Sequence, residues 1–314
     1  MPDRRAWVTL IGLAVFALLP PIAEWIGNPF LLDIAMRIMV LSIAAISLNL
    51  ILGYGGMISF GHSAFIGIGA YAVGIPAYYG EYNGFLQLLI AVGGAALFAL
   101  LTGLVCLRTR GVYFIMITLA FAQMVFFAFV SIEEYGGDDG LVIEIRSELT
   151  RAVDLENTLQ LYYLSFALLL ATLYIVRRIV NSRFGMVIRG SKFNDQRMQA
   201  IGFNTFRYRL ACYVIAGAIC GMAGWLLGNF TNFISPEMMD WTRSGELIFM
   251  VVLGGAGSLF GPVMGASAFI IVEELLSGIT VYWQLIFGLM LIAVVLFVRG
   301  GLDGLIGKPG NRDE

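Results

Sequence analysis

The feature that most constrains this chain is a succession of apolar runs, each close to the length of helix that crosses a lipid bilayer. A membrane helix needs about 20 mostly apolar residues to span ~30 Å. Marked off by charges, Pro-Gly clusters and turn residues, ten such segments lie at roughly residues 7–27, 34–54, 58–79, 85–107, 112–131, 158–176, 209–230, 244–256, 259–276 and 281–298. Little polar sequence remains between them: 59% of the 314 residues are hydrophobic and 13% are charged, against about 25% charged in soluble domains. A water-soluble fold would lack the polar surface to cover such a core. The chain therefore reads as one all-α integral membrane domain, residues 1–314, of about ten transmembrane helices, some broken or re-entrant.

Two segments depart from a simple span. The run 244–256 is short and ends in Gly254-Gly255, the mark of a half-helix or a re-entrant segment, which is tolerated at membrane depth only where protein or water surrounds its end. The third run contains Gly61, Gly67, Gly69, Gly74 and Pro76, which weaken an isolated helix. The first run follows Arg4 and Arg5, as in a signal peptide. Pro20-Pro21 leads to Glu24 and Trp25 without a small-x-small cleavage pattern, so it is read as a retained membrane helix.

Orientation follows from the basic residues. With both termini cytoplasmic, the outer side keeps only Arg37, Arg146, Arg151 and Arg243 of the 19 Lys and Arg. The inner side takes Arg4, Arg5, Arg108, Arg110, the cluster from Arg177 to Arg209, and Arg299, Lys308 and Arg312, as the positive-inside rule requires. Most of the 21 acidic residues then fall outside. Trp25, Trp241 and Trp283 fall near the outer interface and Trp7 near the inner one.

Several chemistries are excluded. Net charge is −2 and no basic run is long enough to follow a phosphate backbone, so nucleic acid is not a partner. Cys106, Cys212 and Cys220 sit singly in apolar stretches and read as small core residues rather than disulfide or metal ligands. His62 is the sole histidine; a hydrogen-bonded packing role is favoured over a proton carrier. The spans offer neither a carboxylate pair at depth nor a nucleophile with its base, which argues against a membrane enzyme.

Polar residues inside the spans are the candidates for a solute pathway, since an unsatisfied polar group in hydrocarbon is costly. They are Asn49, Ser59, His62, Gln123, Glu246 and Gln284. Asn49 can also serve the backbone of the break at Gly53-Tyr54-Gly55-Gly56. Glu246, Glu273 and Glu274 fall near the outer surface, where water can solvate them. Asp33 and Arg37 stand at helical (i, i+4) spacing and can pair. Gly217, Gly221, Gly224 and Gly228 share one face of the seventh run, and Gly257, Gly261 and Gly265 repeat at the start of the ninth. Such stripes let helices approach closely in lipid, either within the chain or at a seam with another subunit.

Two loops stand apart. The acidic outer (periplasmic) loop 132–157 reads as a solvated segment or as a docking surface for a soluble partner. The inner loop 177–209 is a candidate for docking a cytoplasmic partner: Ser191 can cap a short helix running to about Ile201, Gly202 can end it in a left-handed turn, and Asn204 can cap the next span. Phe193 and Ile201 are then available to pack, with Lys192, Asp195 and Arg197 exposed. An interfacial helix that only orients the protein is the alternative.

The stretch SRFGMVIRGSKFNDQRMQAIGFNTFRYRL at 182–210 resembles the coupling loop of permeases of the branched-chain amino-acid (LivM-type) family of ABC importers. SLNLILGYGGMISFGHSAFIGIGAY at 47–71, RGVYFIMITLAFAQMVFF at 110–127, GGDDGL at 136–141 and FISPEMMDWTRSGELIFMVVLGGAGSLFGPVMGA at 233–266 resemble the same family in the same order. The resemblance covers about residues 34–275. It implies a type II importer-like permease in the bacterial inner membrane, moving branched-chain or related amino acids, amides or urea by alternating access. It also implies partners: a homologous second permease, two ATP-binding cassette subunits carrying ATP-Mg, and a periplasmic binding protein, all alongside membrane lipid. Arg183, Phe184, Gly185, Arg189, Asp195 and Arg197 would couple to the ATPase. No GxxxxGK[ST] loop occurs; Gly304 to Pro309 fails in spacing and in its Pro. The chain is thus expected to carry no cofactor and no catalytic or metal site, and energy must come from another subunit or from an ion gradient. An ion-coupled secondary transporter is the alternative, which needs coupling groups at mid-membrane.

Overall fold

The computed structural model describes residues 4–150, 153–297 and 300–306. All ten apolar segments are helices. Six of the helical stretches are long and apolar enough to cross a membrane: Trp7–Ile26, Phe30–Tyr54, Gly84–Cys106, Val112–Val130, Thr158–Val180 and Thr205–Thr231. They belong to α1 (Arg4–Ile26), α2 (Phe30–Asn49, continued by a π-helical turn Leu50–Tyr54), α4 (Gly84–Cys106), α5 (Val112–Val130), α6 (Thr158–Val180) and α9 (Thr205–Thr231). Four more are shorter: α3 (His62–Tyr78), α10 (Trp241–Gly254), α11 (Gly261–Ser277) and α12 (Trp283–Phe297). Two small helices, α7 (Arg183–Phe193) and α8 (Asp195–Ala200), cover one end of the molecule, and α13 (Gly301–Ile306) lies against α10 and α11. The end carrying α7 and α8 is termed the basic end. Of the charges that set the expected orientation, Arg151, Arg299, Lys308 and Arg312 lie outside the described residues.

Lipid supplies no hydrophobic drive between helices, so contact rests on close backbone approach. The glycine face of α9 is filled by this chain's own α3 and α4. A Cβ on Gly224 would stand 2.0 Å from the Ile66 carbonyl oxygen, and one on Gly69 2.1 Å from that of Gly221. The second stripe does the same between α10 and α11, where a Cβ on Gly265 would meet the Met250 carbonyl oxygen at 1.8 Å. Both stripes are thus intrachain packing, not a subunit seam. Trp225, Tyr213, Phe65 and Tyr71 fill the space beside the glycines and are fully buried. Cys106, Cys212 and Cys220 are free and buried among them.

Where the helices stop is less regular. α2 loosens into its π turn, and Gly55 to Gly61 run without helical structure before α3 begins at His62. At the opposite end the acidic loop is ordered: β1 (Leu141–Val142) pairs antiparallel with β4 (Phe233–Ile234), and β2 (Glu148–Thr150) with β3 (Val153–Asp154). From β4 the chain descends as a 3-10 turn, Pro236–Met239, before α10 starts. The Met239 side chain sits against Gly67, on the second turn of α3. α10 therefore begins inside the bundle, as a half-helix of 14 residues. Trp241, expected near the outer interface, opens this half-helix and is exposed.

The close approach predicts a sharp contrast between two glycine substitutions. Gly224→Val should destabilise the purified protein by about 1–3 kcal/mol or more through overpacking, read as a lower unfolding midpoint in detergent. Gly93→Ala, where nothing lies within 4 Å, should leave the midpoint unchanged.

Candidate functional site

The loop between α6 and α9 is built on two caps. The Ser182 hydroxyl accepts from Gly185 N at 3.4 Å and starts α7, while Asn194, extended at φ −151°, accepts from Arg197 N at 2.9 Å and starts α8. Ser191 is therefore not a cap: it lies inside α7, and its hydroxyl donates to Ile188 O at 2.8 Å. Gly202 takes φ +97° after α8, and Asn204 accepts from Arg207 N at 3.2 Å to open α9.

One side of this loop faces the bundle. Gly185 is buried, and a Cβ there would stand 2.3 Å from Val180 O. Arg189 donates to Val180 O at 3.1 Å, holding α7 to the end of α6. Asp195 was expected at the surface but is buried, because it receives Arg110 from the α4–α5 turn and lies 3.5 Å from Arg209 of α9. Lys192 is exposed, as expected, yet its Nζ donates to Gly53 O at 2.8 Å, satisfying a carbonyl of the π turn. Phe184 is half-buried against the Tyr208 ring at 5.5 Å. The other side faces outward: Arg183, Arg197, Ile201 and Phe193 are exposed, Phe193 by 87%.

The polar residues of the spans separate into two places. Asn49 lies apart from the rest, buried near the basic end, where Nδ2 donates to Ser258 O at 2.7 Å and Oδ1 accepts from Gly257 N at 2.9 Å. It serves the α10–α11 turn rather than the break that follows it in sequence. Ser59, His62 and Gln123 come together with the start of α10. Ser59 accepts from Gly61 N at 3.2 Å, Phe60 N donates to Thr118 Oγ1 of α5 at 3.2 Å, and Ser244 of α10 donates to Phe60 O at 2.8 Å and accepts from Ser63 N at 2.9 Å. Gln123 donates to Asp240 Oδ1 at 2.9 Å just before α10. His62 is fully buried, edge-on to Phe65 at 5.3 Å, and neither ring nitrogen has a hydrogen-bond partner. It packs, but without the hydrogen bond expected of it.

Glu246 is not solvated alone: it receives Arg243 Nη1 at 3.0 Å on the same helix. Arg37 bonds both oxygens of Glu273 on α11, at 2.9 and 3.1 Å, rather than pairing locally with Asp33. Glu273 is accordingly half-buried in an ion pair rather than freely solvated. Gln284 lies exposed on α12. On the acidic loop, hydrogen bonding with Tyr135 and then with Glu134 raises the pKa of the Tyr79 hydroxyl above its ordinary value. Sequence reasoning missed Ser63, Thr118, Ser244 and Asp240. Each is an ordinary polar residue whose partner lies on another helix, and no local spacing marks it.

Comparison with known proteins bears on the whole of this arrangement. A family model described as "Branched-chain amino acid transport system / permease component" matches residues 30–295. The chain belongs to that family. This permease is 25% identical over 316 residues to the high-affinity branched-chain amino acid transport system permease protein LivM of Escherichia coli K12, covering 93% of this chain and 74% of the relative. It is also 34% identical over 103 residues to the probable LivM of Methanocaldococcus jannaschii, which covers 32% of this chain and 29% of the relative. The LivH permease of Escherichia coli K12 is similar over a shorter stretch, 29% identical over 151 residues, or 48% of this chain and 47% of the relative. No solved structure matches the permease at a significant level. The family model and the apolar helices make the chain a multi-pass membrane permease subunit of an ABC importer.

The Asn49 clamp carries a direct prediction. Asn49→Leu leaves Gly257 N–H and Ser258 O buried without partners, at about 1–3 kcal/mol per orphaned group. The unfolding midpoint of the purified protein should fall clearly, and an unchanged midpoint would show that the clamp does not hold the α10–α11 turn.

Proposed function

We propose that this permease is one of two membrane subunits of a type II-like importer for branched-chain or related amino acids, driven by ATP hydrolysed on two partner subunits and fed by a soluble binding protein. The similarity to both LivM and LivH permeases supports a homologous second permease. In this reading the ten helices α1–α6 and α9–α12 cross the inner membrane, α10 completing its crossing with the descending segment 233–240. The basic end is cytoplasmic, with both termini on that side, and the acidic loop faces the periplasm. The chain itself carries no cofactor, and ATP-Mg belongs to the partners.

The observation that carries the reading is the two-sided build of α7 and α8. Their inner side is tied to four parts of the bundle: Arg189 to α6, Lys192 to the π turn of α2, Arg209 to Ser191 O at 2.9 Å, and Asp195 to Arg110. Their outer side presents a bare aromatic ring and guanidinium groups, a combination enriched at protein interfaces. A partner that moved the loop would pull on the π turn, and Asn49 would pass that displacement to the turn before α11. A rigid-body shift of this kind is the ordinary means by which a packed bundle changes access. Among the expected coupling residues, Arg183 and Arg197 are placed to touch the partner, whereas Gly185, Phe184 and Asp195 hold the loop to the bundle. Arg189 combines an exposed position with its tie to Val180.

The test is affinity purification of the tagged chain in mild detergent, with mass spectrometry of its companions. Two nucleotide-binding subunits and a second permease should co-purify. Phe193→Ala should lower ATPase recovery several-fold without moving the unfolding midpoint. Recovery of the chain alone, with ion-gradient-driven uptake, would contradict the importer reading.

A further inference from the structure

Two ion pairs stand about two turns inside the ends of apolar helices. Arg37 stands about 10 Å below the start of α2, and Gln123, which fixes the depth of Asp240 and hence of the α10 start, about 10 Å from the end of α5, at ~1.5 Å per residue. Arg243 and Glu246 follow on the first turns of α10, and Glu273 reaches Arg37 from α11. The carboxylates of Glu237 and Glu273 also act electrostatically on Arg243. Two guanidinium groups and two carboxylates on the adjoining helices α2, α10 and α11 thus share one region with Glu237 of the 3-10 turn before α10.

These groups are not sealed inside the chain. Side-chain exposure is 34% for Arg37, 17% for Glu273, 41% for Arg243 and 33% for Glu246. A charge turned to hydrocarbon costs about 2.5–3.5 kcal/mol at the bilayer centre and less toward its edge, so this exposed face is better met by water or a polar ligand than by lipid tails. Exposed apolar side chains flank it, Trp241 and Phe249 on α10 and Ile271 on α11. Paired opposite charges beside an apolar rim match one small-molecule chemistry: an α-amino acid with an aliphatic side chain.

We propose that the Arg243–Glu246 and Arg37–Glu273 pairs form a station on the transport pathway that exchanges partners with the zwitterionic head of the substrate. A guanidinium takes the α-carboxylate, a carboxylate takes the α-ammonium, and the aliphatic part lies on the apolar rim. Each protein charge is already compensated before the ligand arrives, so binding swaps one charge-assisted hydrogen bond for another. Contact is accordingly weak and brief, as a conduit needs. The inference rests on the importer reading above and adds the residues that handle substrate.

The test uses the whole importer in proteoliposomes with ATP, supplied with each of the twenty amino acids. Uptake of none by the unsubstituted complex would sink the importer reading and the station with it. For the amino acid taken up, Arg243→Gln, the double variant Arg243→Gln with Glu246→Gln, and the exchanged pair Arg243→Glu with Glu246→Arg should each lower the uptake rate about tenfold, while the second permease still co-purifies. The neutral double variant leaves no unpaired charge within the pair, which keeps the fold accessible. A pair that only braces α10 would regain uptake in the double or the exchanged variant, and that result overturns the station alone. Loss of the second permease from all three variants overturns it too, by placing the charges at a subunit seam.

Discussion

Every backbone amide or carbonyl that leaves a helix inside an apolar slab must find its partner in the protein, because the surroundings offer none. Much of this permease follows from how it meets that requirement. Its chain breaks helix at the π turn and 55–61, at 233–240 and at 255–260, and side chains from distant elements take backbone groups at the first and last of these. Lys192 takes Gly53 O, Thr118 takes Phe60 N, Ser244 takes Phe60 O and Ser63 N, and Asn49 takes both Gly257 N and Ser258 O. Asn49, Thr118 and Ser244 are fittings of these breaks, whereas Ser47, Thr102 and Ser165 donate back to their own helices. The helices around them need no such help and approach one another through glycine.

This division explains what the sequence revealed. Apolar runs and their flanking caps mark helices by local rules, so each of the ten segments appears as a helix, and Asn83, Asn157 and Asn204 cap α4, α6 and α9. Packing of the glycine stripes was open between two readings, because a stripe specifies close approach but not the neighbour. The long-range pairs were not legible. Arg37 has an acidic residue one turn away, yet it joins Glu273 from the far end of the chain. Asp195 reads as a surface residue of a polar helix and becomes buried only because Arg110 and Arg209 converge on it. The choice of Ser182 over Ser191 as cap turned on Asn194, whose extended backbone splits one expected helix into two.

The same division bears on function. The loop 177–209 grips the bundle by its inner side at the places where helix is interrupted, and presents Phe193 and arginines on its outer side. An interrupted segment has fewer internal hydrogen bonds to lose than a regular helix, so it is the part that yields when the loop is displaced. The glycine-packed core of α3, α4 and α9, in contrast, has no room to shift by fractions of an ångström, since backbone already touches backbone. Under the proposed importer reading, the glycine-packed core would stay stiff while the broken segments, tied through Lys192 and Asn49 to the loop 177–209, would yield.

Amide hydrogen exchange of the assembled importer, compared at rest and during ATP hydrolysis, tests this account most directly. Exchange should accelerate on turnover in 50–61 and 253–260 and stay slow through the glycine contacts of α3 and α9. Unchanged exchange at both breaks, or acceleration that begins in the α3–α9 contact, would contradict it.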